Sequence, residues 1–262
     1  MKCFDASQTA ELEPVASVLR KVKHQAELVG AEIMVVGAAA RDILIRQVVG
    51  SPPARATADI DVAVAVSSWA ELDKLARTMQ RAGALHKFRV DGTEVDIIPF
   101  GEIESDKRTI TWSDDHMMDV FGFREAFAAA ISVRLPFETE VAVASLPAQS
   151  LLKVFAWRDR RYNDRRDAID LGSILRSYHE GPYLEELYED FGHLLEKNDF
   201  VPEYAGAERM GQEARQLIAA ADRSVVLDIL GDANLVERLS DDMGRMTHEN
   251  LALVSAYIKG FG

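Results

Sequence analysis

One cysteine, Cys3, stands in a chain of 262 residues. A disulfide within the chain is therefore impossible, and so is a cysteine-rich zinc site. Positive charge is also short: 30 Lys and Arg against 43 Asp and Glu give a formal net charge of -13. That excludes a broad, non-specific nucleic-acid surface, while leaving room for a local basic patch. No apolar run approaches the roughly 20 residues of a membrane-spanning helix. The 6 histidines are scattered without metal-ligand spacing. Aromatic residues make up 8% of the chain, and those at Trp112, Phe121 and Phe155 read as core rather than as platforms for bases. The polar, acidic stretch from Met1 to Pro14 is unlike a signal peptide. A reducing, cytoplasmic setting away from membranes is expected.

What is present is an ordinary apolar share, 48%, distributed in two styles. Up to about Ser145, helical and strand patterns alternate. Glu11 to Leu28 reads as a helix with Val15, Leu19, Val22 and Ala26 on one face, stopped by Gly30. Glu32 to Val36 is a short apolar strand, Ala38 to Val49 a helix, and Gly50 to Ala58, with Pro52-Pro53, a loop. The alternating run Asp59 to Val66 is a strand. Ser68-Trp69-Ala70-Glu71 is a capping box opening a helix expected to end at Gly83. Lys87 to Val90 and Glu94 to Phe100 are strands joined through Asp91-Gly92, a strong hairpin signal. A short helix over Phe123 to Ala130 and edge strands over Ser132 to Leu135 and Glu140 to Ala144 follow. From Ser145 the pattern is helical throughout, with helices expected at Asp167 to Tyr178, Pro182 to Glu196, Ala207 to Ala221, Ser224 to Leu230 and His248 to Lys259. The expected organisation is a mixed α/β domain over 1–144 and an all-α domain over 145–262.

Three elements carry chemistry. On the strand from Asp59, side chains two apart share a face, so Asp59 and Asp61 point the same way, opposite Ile60, Val62, Val64 and Val66. Two carboxylates held that close repel, and a hard divalent cation such as Mg²⁺ relieves the repulsion. The turn Gly37-Ala38-Ala39-Ala40-Arg41-Asp42 leads from strand to helix through small residues, which lets backbone N–H groups approach an anion. Arg41 offers forked donors to a phosphate, against the plainer reading of a closely packed helix start. Asp96, flanked by strand-forming residues, is placed to lie beside the first pair. Three carboxylates on adjacent strands hold metal ions that clamp the attacking and leaving oxygens of a phosphoryl transfer. Further on, Arg158, Arg160, Arg161, Arg165 and Arg166 read either as a solvated face paired with Asp159, Asp164 and Asp167, or as a phosphate-facing patch.

Together, Val36 to Asp42, Arg55 to Val64, Val95 to Gly101, and Leu151 to Trp157 with Arg166 to Leu171 resemble the nucleotidyltransferase superfamily of DNA polymerase beta, poly(A) polymerases and CCA-adding enzymes. The nearest likeness is to the AbiEii/AbiGii-type nucleotidyltransferases, toxins of type IV toxin–antitoxin systems. The resemblance covers about residues 33 to 175. It implies an α/β (α+β) nucleotidyltransferase domain with a mixed sheet, followed by an all-α C-terminal domain that closes the nucleotide cleft. It implies that Asp59, Asp61 and Asp96 bind Mg²⁺ or Mn²⁺, and that Asp96 accepts the nucleophile's proton. It assigns Gly37, Ala38, Arg41 and Lys153 to the NTP, and Asp167 to orienting that lysine or the nucleotide. An RNA acceptor, tRNA 3′ ends among the choices, or a protein acceptor, and a cognate antitoxin are further implications. The turn reads Gly37-Ala38 where the superfamily usually has Gly-Gly or Gly-Ser, leaving phosphate contact to backbone N–H groups. Two other readings stay open on the residues alone. A metal-dependent DxD glycosyltransferase leaves Asp96 and the Gly37 turn unexplained, and a nucleotide-binding module without turnover would follow from Ala38.

Overall fold

Alternation from Asp59 to Val66 produces the central strand of the molecule, with Ile60, Val62, Val64 and Val66 all at or below 4% exposure. The computed structural model describes residues 3–46, 50, 59–244 and 247–262. Residues 47–49 of the expected helix and 51–58 of the expected loop lie outside the described residues. The chain divides into two compact units, one of Met1–Ile43 with Arg55–Ser145, the other of Leu44–Ala54 with Leu146–Gly262.

The first unit is built on a mixed eight-stranded sheet. Its strands are β1 (Cys3–Asp5), β2 (Glu32–Val36), β3 (Asp59–Val66), β4 (Gln80–Arg81), β5 (Lys87–Val90), β6 (Thr93–Gly101), β9 (Ile131–Leu135) and β10 (Thr139–Val143). The spatial order is β1-β9-β10-β2-β3-β6-β5-β4. A separate ribbon pairs β7 (Thr109–Thr111) with β8 (Met117–Asp119). Helices α1 (Glu13–Leu28), α2 (Gly37–Leu44), α3 (Trp69–Ala76) and α4 (Phe123–Ala128) complete the unit. On α1, Leu19, Val22 and Ala26 are buried as expected, while Val15 is half-buried.

The β3–β6 pairing is parallel, made possible by the crossover through α3. The β5–β6 hairpin turns through Asp91 (φ 52) and Gly92 (φ 83), the left-handed pair of a two-residue turn. The capping box forms with one change of partner. Ser68 Oγ accepts from the Glu71 N–H at 3.3 Å, while the Glu71 carboxylate accepts from the Ser67 N–H at 2.7 Å.

Some expectations are corrected. The helix expected to reach Gly83 stops at Ala76, and Gln80–Arg81 instead pairs along β5. The strands expected at an edge, β9 and β10, lie inside the sheet: β1 covers β9, and β10 pairs β2 in parallel. Their hairpin turns through Phe137 (φ 60) and Glu138 (φ 54), residues that carry no usual turn signal.

From Leu146 the described residues of the second unit carry helices and no strand: α5 (Leu146–Arg160), α6 (Arg166–Ser177), α7 (Pro182–Glu189), α8 (Gly192–Lys197), α9 (Pro202–Leu217), α10 (Arg223–Leu230), α11 (Ala233–Asp242) and α12 (Thr247–Phe261). The single helix expected over Pro182 to Glu196 is broken at Asp190–Phe191, and α11, capped by the Asp232 carboxylate, was not expected. Among the described residues no helix is long and apolar enough to cross a membrane. The backbones of α9 and α12 touch. A Cβ on Gly211 would overlap the Tyr257 carbonyl, and one on Gly260 would overlap the Glu208 carbonyl.

Gly211→Ala or Gly260→Ala is expected to force these helices apart and cost about 1–3 kcal/mol. Gly192→Ala, with nothing within 4 Å of the added carbon, serves as the control. Thermal denaturation of the three variants checks this; a Gly260→Ala protein as stable as the control contradicts the packing account.

Candidate active site

Strand register assembles the site. Asp61 of β3 lies directly opposite Asp96 of β6, and Asp59 opposite Glu94. Opposed residues on adjacent strands put their side chains on one face of the sheet. Asp59, Asp61, Glu94 and Asp96 therefore form a block of four carboxylates, each half-buried. On the neighbouring β5, Lys87 lies opposite Asp96 and Arg89 opposite Glu94. The other face at this level is Ile60, Val95 and Phe88, all buried.

The acidic block is partly neutralised by β5. Lys87 Nζ donates to both Asp96 oxygens, each at 3.0 Å, and Arg89 Nη2 meets Glu94 Oε1 at 3.2 Å. Burial pulls the Lys87 ammonium's pKa down. The hydrogen bond and charge of Asp96, helped by Asp59 and Glu94, outweigh this and leave it raised. Lys87, Arg89 and Glu94 were not singled out from the sequence. The signal existed: a two-residue Asp91-Gly92 turn fixes which β5 residue faces which β6 residue.

Gly37 closes the other side. Val36 pairs with Asp61, so α2 starts next to that carboxylate. Gly37 has φ 63, and a Cβ there would lie 2.8 Å from Asp61 Cγ, with the oxygen closer still. Glycine is required twice over, by backbone conformation and by contact. Ala38 follows, 5% exposed, in the first turn of α2. Arg41 is fully buried, and its Nε donates to Asp42 Oδ1 at 2.7 Å. Its guanidinium is thus turned into the protein and engaged by its neighbour.

In the second unit, Lys153 Nζ donates to Asp167 Oδ1 at 3.0 Å and Asp170 Oδ2 at 2.8 Å. Arg160 Nη2 meets the other Asp167 oxygen at 2.7 Å. Asp167 and Asp170 are buried, so the balanced network answers the cost of desolvating them. The arginines after Lys153 are largely ion-paired: Arg158 with Asp159 at 2.8 Å and Arg166 with Asp164 at 2.6 Å. Arg161 instead lies over the Tyr162 ring, 4.6 Å from its centroid.

Among the described residues no three His, Cys, Asp or Glu side chains converge as a ready-made metal cage. The donor set nonetheless fits a hard divalent cation. Asp59, Asp61 and Asp96 offer only carboxylate oxygens on one face, and the ammonium on Asp96 shows that the spot attracts positive charge.

One family profile matches most of the chain and shows a nucleotidyltransferase. The family profile "Nucleotidyl transferase AbiEii toxin, Type IV TA system" matches residues 44–249. That span takes in Asp59, Asp61, Asp96, Lys153 and Asp167, and begins after Gly37, Ala38 and Arg41. No curated protein matches the chain. Among solved structures, antibiotic-resistance factor ANT(2'')-Ia is similar over 71% of this chain and 95% of its own, with 12% identity and a TM-score of 0.41. An antigenic nucleotidyltransferase-like protein from Paracoccidioides brasiliensis is similar over 73% of this chain and 92% of its own, with 13% identity and a TM-score of 0.42. The Thermotoga maritima CCA-adding enzyme is similar over 98% of this chain and 83% of its own, with 12% identity and a TM-score of 0.29.

The Gly37–Asp61 contact is testable without any activity. Gly37→Ala is expected to cost about 1–3 kcal/mol from backbone strain alone, with the overlap added to it. Gly30→Ala carries similar strain, at φ 79, with nothing within 4 Å. In denaturant titrations Gly37→Ala should be the worse of the two, and Asp61→Ala should relieve part of its cost but none of Gly30→Ala's. Additive Gly37 and Asp61 effects would sink the contact.

Proposed function

The chain belongs to the nucleotidyltransferase family of AbiEii toxins of type IV toxin–antitoxin systems, and from that premise we propose that it moves a nucleoside monophosphate from an NTP to a hydroxyl of RNA at a divalent-metal site. The observation that carries the reading is the direct register of Asp61 with Asp96 on neighbouring parallel strands, with Asp59 on the same face.

In this reading Asp59, Asp61 and Asp96 hold Mg²⁺ or Mn²⁺. When bound, the ion supplies charge neutralisation and polarises the reacting phosphate. The N–H groups of Gly37 and Ala38 at the start of α2 face the anionic phosphates, as free donors at a helix N-terminus do. Asp96 takes the proton of the acceptor hydroxyl as its oxygen attacks the α-phosphorus. The bond to the β-phosphate oxygen breaks, and pyrophosphate leaves. Lys153 and Asp167 of the helical unit are assigned to the nucleotide by the same proposal. Arg41 is assigned to the nucleotide by the same proposal; it is buried and its Nε donates to Asp42, so a phosphate would compete with that carboxylate for its donors. An RNA 3′ end, of tRNA in particular, is the proposed acceptor, and an antitoxin the proposed partner, both by membership of the family.

The deciding experiment is transfer of label from each α-labelled NTP, with Mg²⁺, onto total RNA and total protein. Label on RNA is expected with at least one nucleotide. It should fall about 10³-fold in Asp59→Ala/Asp61→Ala, the loss of several kcal/mol of metal-derived stabilisation. Label that persists in this variant contradicts the assignment, and label on protein instead of RNA changes the acceptor.

Lys153 needs a separate readout, because removing it strands two buried carboxylates. Lys153→Met is expected to cost about 3–5 kcal/mol of stability. Lys153→Arg keeps the charge, and a rise in its KM for NTP with an unchanged melting temperature assigns Lys153 to the nucleotide. An unchanged KM confines it to the ion network.

A further inference from the structure

We propose that Lys87 is a tethered cation that occupies Asp96 while the metal site is empty, and that a divalent ion must displace it to gain its third carboxylate. The inference rests on the metal reading above and adds to it a residue that sets the site's affinity.

Three observations lead there. First, the geometry is specific to Asp96: Lys87 Nζ is 3.0 Å from both of its oxygens, so the ammonium sits where a cation would. Second, the charges fit. On the face shared by β3, β6 and β5 lie Asp59, Asp61, Glu94 and Asp96 against Lys87 and Arg89, which leaves an excess of two negative charges. With Lys87 withdrawn, Asp96 would offer both of its oxygens to a divalent ion. Third, the residue type suits release. Lysine is a compact charge on a flexible stem, whereas an arginine fork would lock both oxygens. The Lys87 side chain is 32% exposed against 14% for Asp96, so it is the more open of the two to water.

A residue that only braced β5 would leave metal affinity unchanged when replaced. A resident cation makes the metal compete with it, so its loss tightens binding.

The test is titration of the full-length protein with Mn²⁺ alone, following the free-ion signal by electron paramagnetic resonance. Folding of each variant is checked by circular dichroism. Lys87→Met and Lys87→Gln are expected to bind Mn²⁺ about five- to tenfold more tightly, the worth of one partly screened ion pair. Lys87→Arg should bind no more tightly than the parent. Arg89→Met, on the same strand and face but paired with Glu94, should shift affinity by no more than about twofold. Equal or weaker binding in both neutral Lys87 variants overturns the inference alone. An equal gain from Arg89→Met overturns it in favour of a general charge effect. Mn²⁺ binding by none of the proteins overturns it together with the metal reading.

Discussion

Parallel pairing of β3 with β6 is the constraint on which the candidate site depends. The ladder runs from Asp59 opposite Glu94 to Val66 opposite Gly101. A slip of one residue would turn every side chain of one strand to the other face. Asp61 would then oppose Val95 or Ile97, and the carboxylates would no longer share a surface. The apolar side of the same strands prevents this. Ile60, Val62, Val64, Val95 and Ile97 are buried, and each fully buried side chain of this size contributes about 1.5–3 kcal/mol. Hydrophobic burial on one face therefore holds together carboxylates that repel on the other. Gly101 is the last residue of the ladder, and a Cβ there would lie 2.7 Å from the Val66 carbonyl oxygen, so glycine is required at that position.

The two units answer the cost of clustered aspartates in the same way. In the sheet, an ammonium spans both oxygens of Asp96. In the helical unit, another spans Asp167 and Asp170. The difference is burial. Asp167 and Asp170 are nearly inaccessible and Lys153 is 12% exposed, so stranding those carboxylates is costly. The Lys87 pair is more open to water, its side chains 32% and 14% exposed. Gly37 adds a steric element, bringing the start of α2 against Asp61 without a side chain between them.

Much of this was legible in the chain. Period-two alternation marks β3 and puts Asp59 and Asp61 on one face. The Asp91-Gly92 turn marks the hairpin, and with it the partners of Asp96 and Glu94, although that second step requires counting back from the turn. Other features have no local signal. Strands β1, β4, β7 and β8 are too short to show a period. The inward position of β9 and β10 depends on pairing with β1 and β2, which are distant in sequence. Arg41 is an arginine on a helix of small residues, and its complete burial is set by surroundings that periodicity does not report. The family match covers the carboxylates and begins after the Gly37 turn, so for that turn the close approach to Asp61 is the stronger evidence.

The most direct test is a crystal structure grown with Mn²⁺ and a non-hydrolysable NTP, located by the metal's anomalous scattering. The account predicts a peak bounded by Asp59, Asp61 and Asp96, with phosphate oxygens completing its shell and Lys87 withdrawn from Asp96. A bound nucleotide whose metal lies away from these carboxylates, with Lys87 still on Asp96, would contradict it.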